Sequence, residues 1–248
     1  MQPHRIRYWL TAKPDERFSE KARDICETYK HAPARDRQGE RTLSVDEMTG
    51  IQALERAAPD RPMTPGKPVR REFEYIRHGT QTLMAAFDVA TGRVTASVRA
   101  SRTEQDYTQF LNEMIQARPE TQRWHIVADN LNTHLSESVV RLVARVSGVD
   151  EESLGEKGKS GVLASLKTRE RFLRDPGHKV VFHFTPLHAS WLNQVEIWFS
   201  ILVKKVIRRG NFLSQQDLKA KILDFIQYFN ATMAKVFRWT YKGTPLVT

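Results

Sequence analysis

The chain has 248 residues, 40% hydrophobic and 27% charged, with 39 Lys and Arg against 29 Asp and Glu for a net charge of +10. That length suits one large domain, or one domain with an appendage. No run of about 18 apolar residues offers a spanning helix, Met1 to Arg7 lack the apolar core of a secretion signal, and a single cysteine, Cys26, excludes an internal disulfide and a cysteine-rich zinc site.

The expected setting is a reducing cytosol. The positive excess favours a polyanionic partner, nucleic acid first, against the plain alternative of a basic protein with no such partner. Along the chain, Arg5 to Leu10 reads as the end of a helix stopped by Lys13-Pro14-Asp15. Phe18, Ala22, Ile25 and Tyr29 mark an amphipathic helix, and Pro33 to Glu40 has the composition of a linker. Thr42 to Asp46 alternates as a strand and meets a turn signal at Thr49-Gly50. Pro59 to Pro68 is a long irregular excursion, flanked by Arg61, Lys67, Arg70 and Arg71. Glu72 to Arg77 alternates again. Thr82 to Val89 and Arg93 to Val98 flank Ala90-Thr91-Gly92 as a hairpin.

Helical spacing follows from Asp106 to Gln116, a short buried strand from Trp124 to Asp129, and a helix from Ser136 to Val146. Ser147 to His178 is rich in glycine and charge and reads as an inserted flap, with one short helix near Val162 to Leu173. A strand at Val180 to Phe184, an apolar helix from Trp191 and a last helix from Asp217 to about Phe229 complete the order. Antiparallel strands first and βα units after predict a mixed α/β sheet with helices on its faces.

Three carboxylates stand out. Asp46 closes an alternating strand. Asp129 closes a buried one and leads into Asn130-Leu131-Asn132-Thr133-His134. Glu196 lies in the apolar helix, roughly 40° from Leu192 and about 20° from Val203 around the axis. With Val195, Phe199 and Val206 these residues form one face, so a charge there needs a partner, a proton or a cation. Converging carboxylates suit hard cations such as Mg²⁺ or Mn²⁺, and a pair of such ions can clamp both oxygens of a phosphodiester exchange. The plainer readings are a turn residue for Asp46, a helix cap for Asp129 and a pairing of Glu196 with Arg141. His134 and His188 read as loop hydrogen-bonders. Trp191, Trp198 and Phe199 read as core.

The run Ile126 to His134, the segment Thr185-Pro186-Leu187-His188-Ala189-Ser190-Trp191-Leu192-Asn193-Gln194-Val195-Glu196, and Leu43 to Glu47 together resemble the catalytic core of DDE transposases of the mariner superfamily, in its bacterial insertion-sequence branch, the IS-six-thirty family. The resemblance spans nearly the whole chain. It implies an RNase H-like (retroviral-integrase-like) fold, a two-metal site of Mg²⁺ or Mn²⁺, and cutting and joining of transposon DNA, with a homodimer in the DNA complex and a bacterial cytosolic, nucleoid-associated location. Its first aspartate falls on Asp46, its second on Asp129 and its glutamate on Glu196. Asn130, Asn132, His134, His188 and Asn193 match motif positions that shape the site. Glu47 should point to the opposite face of its strand.

The 66 residues between Asp129 and Glu196 are about double the family's usual gap, and the 147–178 insertion accounts for the excess. The implied organisation is an N-terminal remnant of a helix-turn-helix module with a linker helix (1–35), a catalytic domain (36–235) and a tail (236–248). Lys204, Lys205, Arg208 and Arg209, beyond Glu196, are candidate phosphate contacts or a solvated face. The proline-rich excursion is a candidate contact with DNA or a second protomer. The alternative to an active enzyme is a truncated, catalytically idle transposase acting as a DNA-binding repressor. A plain RNase H-like nuclease is a third reading.

Overall fold

The computed structural model describes residues 17–243, so the Pro3 to Leu10 stretch lies outside the described part. Its elements are α1 (Phe18–Arg37), β1 (Glu40–Arg56), β2 (Tyr75–Asp88), β3 (Val94–Arg99), α2 (Glu104–Gln116), β4 (Arg123–Ala128), α3 (Glu137–Ser147), α4 (Leu166–Leu173), β5 (Val180–Phe184), α5 (Val195–Leu202) and α6 (Gln215–Thr232). The strands form one sheet in the order β3-β2-β1-β4-β5. β1, β2 and β3 pair antiparallel, while β4 joins β1 and β5 in parallel. The sheet is therefore mixed, as the element order predicts.

Strand alternation divides the core in two. Leu43, Val45, Met84, Ala86, Ile126 and Ala128 face α2, α3 and α4. Leu83, Ala85, Phe87 and Val127 face α1, α5 and α6. Each surface is apolar enough to need cover, so helices pack on both sides. No helix among the described residues is long and apolar enough to cross a membrane.

Three expectations require correction. β1 does not stop at Thr49-Gly50. It runs on to Arg56, absorbing Gly50 (φ 66°) in a pairing irregularity between Met48 and Ile51, since a bulge lets a strand keep its ladder past an extra residue. Pro33 to Glu40 is not a linker. α1 continues through Pro33, which sits on its exposed side, where water can satisfy the carbonyl that loses its donor.

Ala22, Ile25, Tyr29 and Ala32 of α1 are buried in the core shared with α5 and α6. The 147–178 segment is not a loose flap. Its Leu154, Leu163 and Leu173 are buried with α3 and β5, at about 1.5–3 kcal/mol of burial each, and Arg169 donates to the Leu135 carbonyl at 3.0 Å. Within the sequence-defined tail, Phe237 stacks on Phe87 at 4.5 Å and Trp239 meets Tyr29 edge-on at 5.0 Å.

Candidate active site

Register brings the two aspartates level. β1 and β4 run parallel with Ser44 beside Val127, so two residues on, Asp46 lies beside Asp129, just past the last residue of β4. Adjacent strands are about 4.8 Å apart. Ser44 and Asp46 share the sheet face opposite to Leu43 and Val45. Glu47 turns the other way, as alternation requires.

The third acid comes from the turn before α5, and this turn is held by polar groups buried under α1. The Ser44 hydroxyl donates to Asn193 Oδ1 and accepts the Val195 N–H at 2.8 Å. Asn193 Nδ2 donates to the Val45 carbonyl at 3.0 Å and to Asp46 Oδ2 at 3.2 Å. The Tyr29 hydroxyl donates to the Leu192 carbonyl at 2.9 Å and accepts the Gln194 N–H at 3.3 Å. Ser44, Asn193 and Leu192 are wholly buried. These bonds satisfy the open N-terminus of α5 and tie Glu196, the second residue of α5, to the strand that carries Asp46.

Glu196 itself is half-buried, at the margin of the helix's apolar face. The long helical face from Leu192 to Val206 is not formed. Ser190 to Leu192 is a 3₁₀ turn, α5 starts at Val195, and Val203 to Ile207 widens into a π turn. The wider turn rotates Val203 to the surface, and Trp198 and Leu202 fill the core instead. Arg141 is not the partner of Glu196. It pairs with Glu137 and Glu151, at 2.7 and 3.7 Å. Trp191 is 46% exposed and meets Tyr241 edge-on, not core. Trp198 and Phe199 are core.

The electrostatics separate the carboxylates. Burial, then the charge of Asp129, push the Asp46 carboxyl up to about 7. Burial, then the charge of Asp129, also raise Glu196. Asp129 is thus the neighbour that both other acids feel. Burial works to raise Asp129 as well, but the His134 hydrogen bond and charge and the Leu131 N–H hold it below the usual carboxylate range. Neighbouring carboxyls pushed apart in this way take different protonation states at neutral pH.

His134 explains why Asp129 stays ionised. Its Nδ1 lies 2.8 Å from Asp129 Oδ1 and its Nε2 3.0 Å from Glu47 Oε2. Burial disfavours the charged ring, but the hydrogen bonds to Asp129 and Glu47 and their charges outweigh it and push its pKa up to about 10. The ring is fully buried and packs on Tyr107 with centroids 4.3 Å apart. Among the described residues, Glu47 Oε1 and the Tyr107 hydroxyl are buried without a hydrogen-bond partner.

Asn130 donates to the Thr185 carbonyl and accepts from Lys21 Nζ at 3.1 Å, joining β5 to α1 beside Asp129. The remaining site-shaping candidates are both at the surface. Asn132 is exposed, and His188 is exposed with φ 59°. Tyr29, Tyr107 and Lys21 belong to the site's framework without any motif to mark them, and Ser44 belongs to it from within the Leu43 to Glu47 run. Ser44 alone carries a usable signal, since it lies two residues before Asp46 and hence on the same strand face.

Could these residues hold a metal ion? Among the described residues, no group of three or more Asp, Glu, His or Cys side chains is gathered closely enough to do so. The donor set nevertheless suits a hard divalent cation. All three acids are oxygen donors, His134 and the Leu131 N–H both engage Asp129 Oδ1 and leave Oδ2 without a donor among the described residues, and Asp46 has a proton to exchange. Lys204, Lys205, Arg208 and Arg209 are exposed along the π turn and beyond.

A family profile described as DDE superfamily endonuclease matches residues 41–219, and the chain belongs to that superfamily. No curated protein matches it. Among solved structures it is similar to the Mos1 mariner paired end complex with Mn (TM-score 0.53, 14% identity, 91% of this chain and 59% of that one). It is also similar to the catalytic domain of Mos1 mariner transposase (TM-score 0.51, 13% identity, 88% and 85%) and to the Mos1 transposase paired-end complex with left transposon end (TM-score 0.51, 15% identity, 90% and 59%). The chain spans 59% of the length of the two paired-end complex chains. The fold is RNase H-like, with a mixed sheet and helices on both faces.

Proposed function

We propose that this chain is the catalytic domain of a transposase of the bacterial insertion-sequence branch, cleaving DNA at element ends and joining the freed 3′-hydroxyl to target DNA. The observation that carries the reading is the placing of Asp46 and Asp129 level on neighbouring parallel strands, with Glu196 tied to the same strand and its carboxyl raised by burial and then by the Asp129 charge. Membership of the DDE superfamily endonucleases supports it.

In this reading Asp46, Asp129 and Glu196 hold Mg²⁺ or Mn²⁺, which when bound activates the attacking oxygen and stabilises the leaving one. The chain's own residues prepare the site. His134 keeps Asp129 ionised by bonding its Oδ1. Asn193 orients Asp46, whose proton leaves as the site loads. The partially open position of Glu196 leaves it able to adjust its carboxylate. Lys204, Lys205, Arg208 and Arg209 offer phosphate contacts, and the DNA complex contains two copies of the chain.

The test is nicking of a duplex carrying the element's ends, with Mn²⁺ or Mg²⁺. Asp129→Asn or Glu196→Gln should abolish nicking while the circular dichroism spectrum stays that of the parent. Full activity in either variant refutes the assignment, and so does a parent chain that binds DNA without cutting it.

A further inference from the structure

The 147–178 segment carries a stripe of positive charge that the proposed chemistry does not use. Lys167, Arg171 and Arg174 recur at helical spacing along α4, so they share one side of it. With Arg17, Thr168 and Glu170 they line a cleft of about 430 Å³ between α4 and the start of α1.

The pairing inside this cleft is lopsided. Glu170 Oε1 has Arg17 at 3.4 Å and both Lys21 and Arg174 at 3.7 Å. Glu20 takes Arg17 at 2.8 Å and Arg174 at 3.1 Å. Hydrogen bonds from Arg17 and Arg174 hold the Glu20 carboxyl down to about 2, so it stays ionised. Among the described residues, two carboxylates thus serve Arg17, Lys21 and Arg174. Lys167 and Arg171 stand exposed on the rim with no carboxylate within 4.0 Å among the described residues. Like charges gathered beyond what the acids neutralise repel one another and favour a polyanion.

The cleft also connects to the acids. Lys21 reaches Glu170 on one side and, at 3.1 Å, Asn130 Oδ1 on the other. Arg169 of α4 is bonded to Leu135 in the loop that follows Asp129. Buried leucines hold α4 in place, so the charges are presented by a fixed element.

We propose that α4 and the first turn of α1 form a phosphate-binding cleft that guides a nucleic-acid backbone toward Asp129. This rests on the transposase reading for its partner and assigns that partner a surface. Lys167 and Arg171 make direct phosphate contacts there. Arg17 and Arg174 supply field while remaining tied to Glu20 and Glu170.

The experiment is binding of a fluorescent duplex of arbitrary sequence to the whole chain across a salt series. The parent is compared with Lys167→Ala/Arg171→Ala and with Arg37→Ala/Lys219→Ala, which removes equal charge from exposed positions elsewhere. Losing two phosphate contacts should lower the slope of log K against log salt by about 1.8, with the control slope unchanged. Equal slopes for the cleft pair and the parent overturn the cleft, as does an equal drop in the control. A parent that binds no duplex at any salt removes the transposase reading, and the cleft with it.

Discussion

His134 is the point at which the site's electrostatics and its stability meet. Replacing it with alanine leaves the Glu47 carboxylate, whose side chain is only 2% exposed, without its cation. It also strips Asp129 of its partner. Breaking one side of a buried ion pair costs about 3–5 kcal/mol, so urea unfolding at neutral pH should show a loss of that size.

The pH dependence has a definite sign. The folded pKa of His134 is raised from 6.5 to about 10, so its contribution is complete below pH 6.5 and is lost as the pH rises through 10. The shift corresponds to about 5 kcal/mol in all, falling by about 1.4 kcal/mol per pH unit across that window. The clean reference is Glu47→Gln/His134→Gln, which removes the ring and the buried carboxyl it faces together. Between about pH 6.5 and 8.5 the metal-free parent should lose about 2 kcal/mol relative to that variant. A difference that stays flat within about 0.5 kcal/mol over this range would falsify the charged-ring account. So would a His134→Ala protein within about 1 kcal/mol of the parent.

Two further outcomes follow from the same contacts. Asn193→Ala removes the donor to Asp46 Oδ2 and the Val45 carbonyl, and metal-supported nicking should fall about 10- to 100-fold, as for other groups that orient a ligand; unchanged turnover would show that Asp46 needs no such support. Because the Asp46 carboxyl sits at about 7 in the folded chain, Mn²⁺ should displace its proton. Affinity should then climb about tenfold per pH unit below 7 and level off above it, which calorimetry in buffers of different ionisation enthalpy can follow; a pH-independent affinity from 5 to 8 contradicts the assignment.

Local pattern carried much of the architecture. β5 falls where its apolar run lies, and the hairpin signal around Gly92 and the spacing of α2, α3 and α6 mark elements within a few residues of the real ones. The same holds for the parity of β1, which sends Glu47 away from Asp46. These are short-range consequences of side-chain period and turn chemistry. The run of apolar residues around Glu196 was also legible, but its phase was not. Periodicity assumes one unbroken helix, whereas a 3₁₀ turn precedes α5 and a π turn follows it.

What only the tertiary structure decided is who meets whom. Tyr29 and Ser44 are ordinary residues until α1 and β1 close over the Leu192–Val195 turn. Pairing Asp129 and Glu47 through His134 requires β1 and β4 to lie side by side. The 147–178 segment looks solvated because its leucines are spaced too widely to make a periodic face, yet α3 and β5 bury all three. A sequence records each residue's capacity to bond or to hide from water. Which capacity is used depends on neighbours distant along the chain, and those are set by the packing of two cores on one sheet.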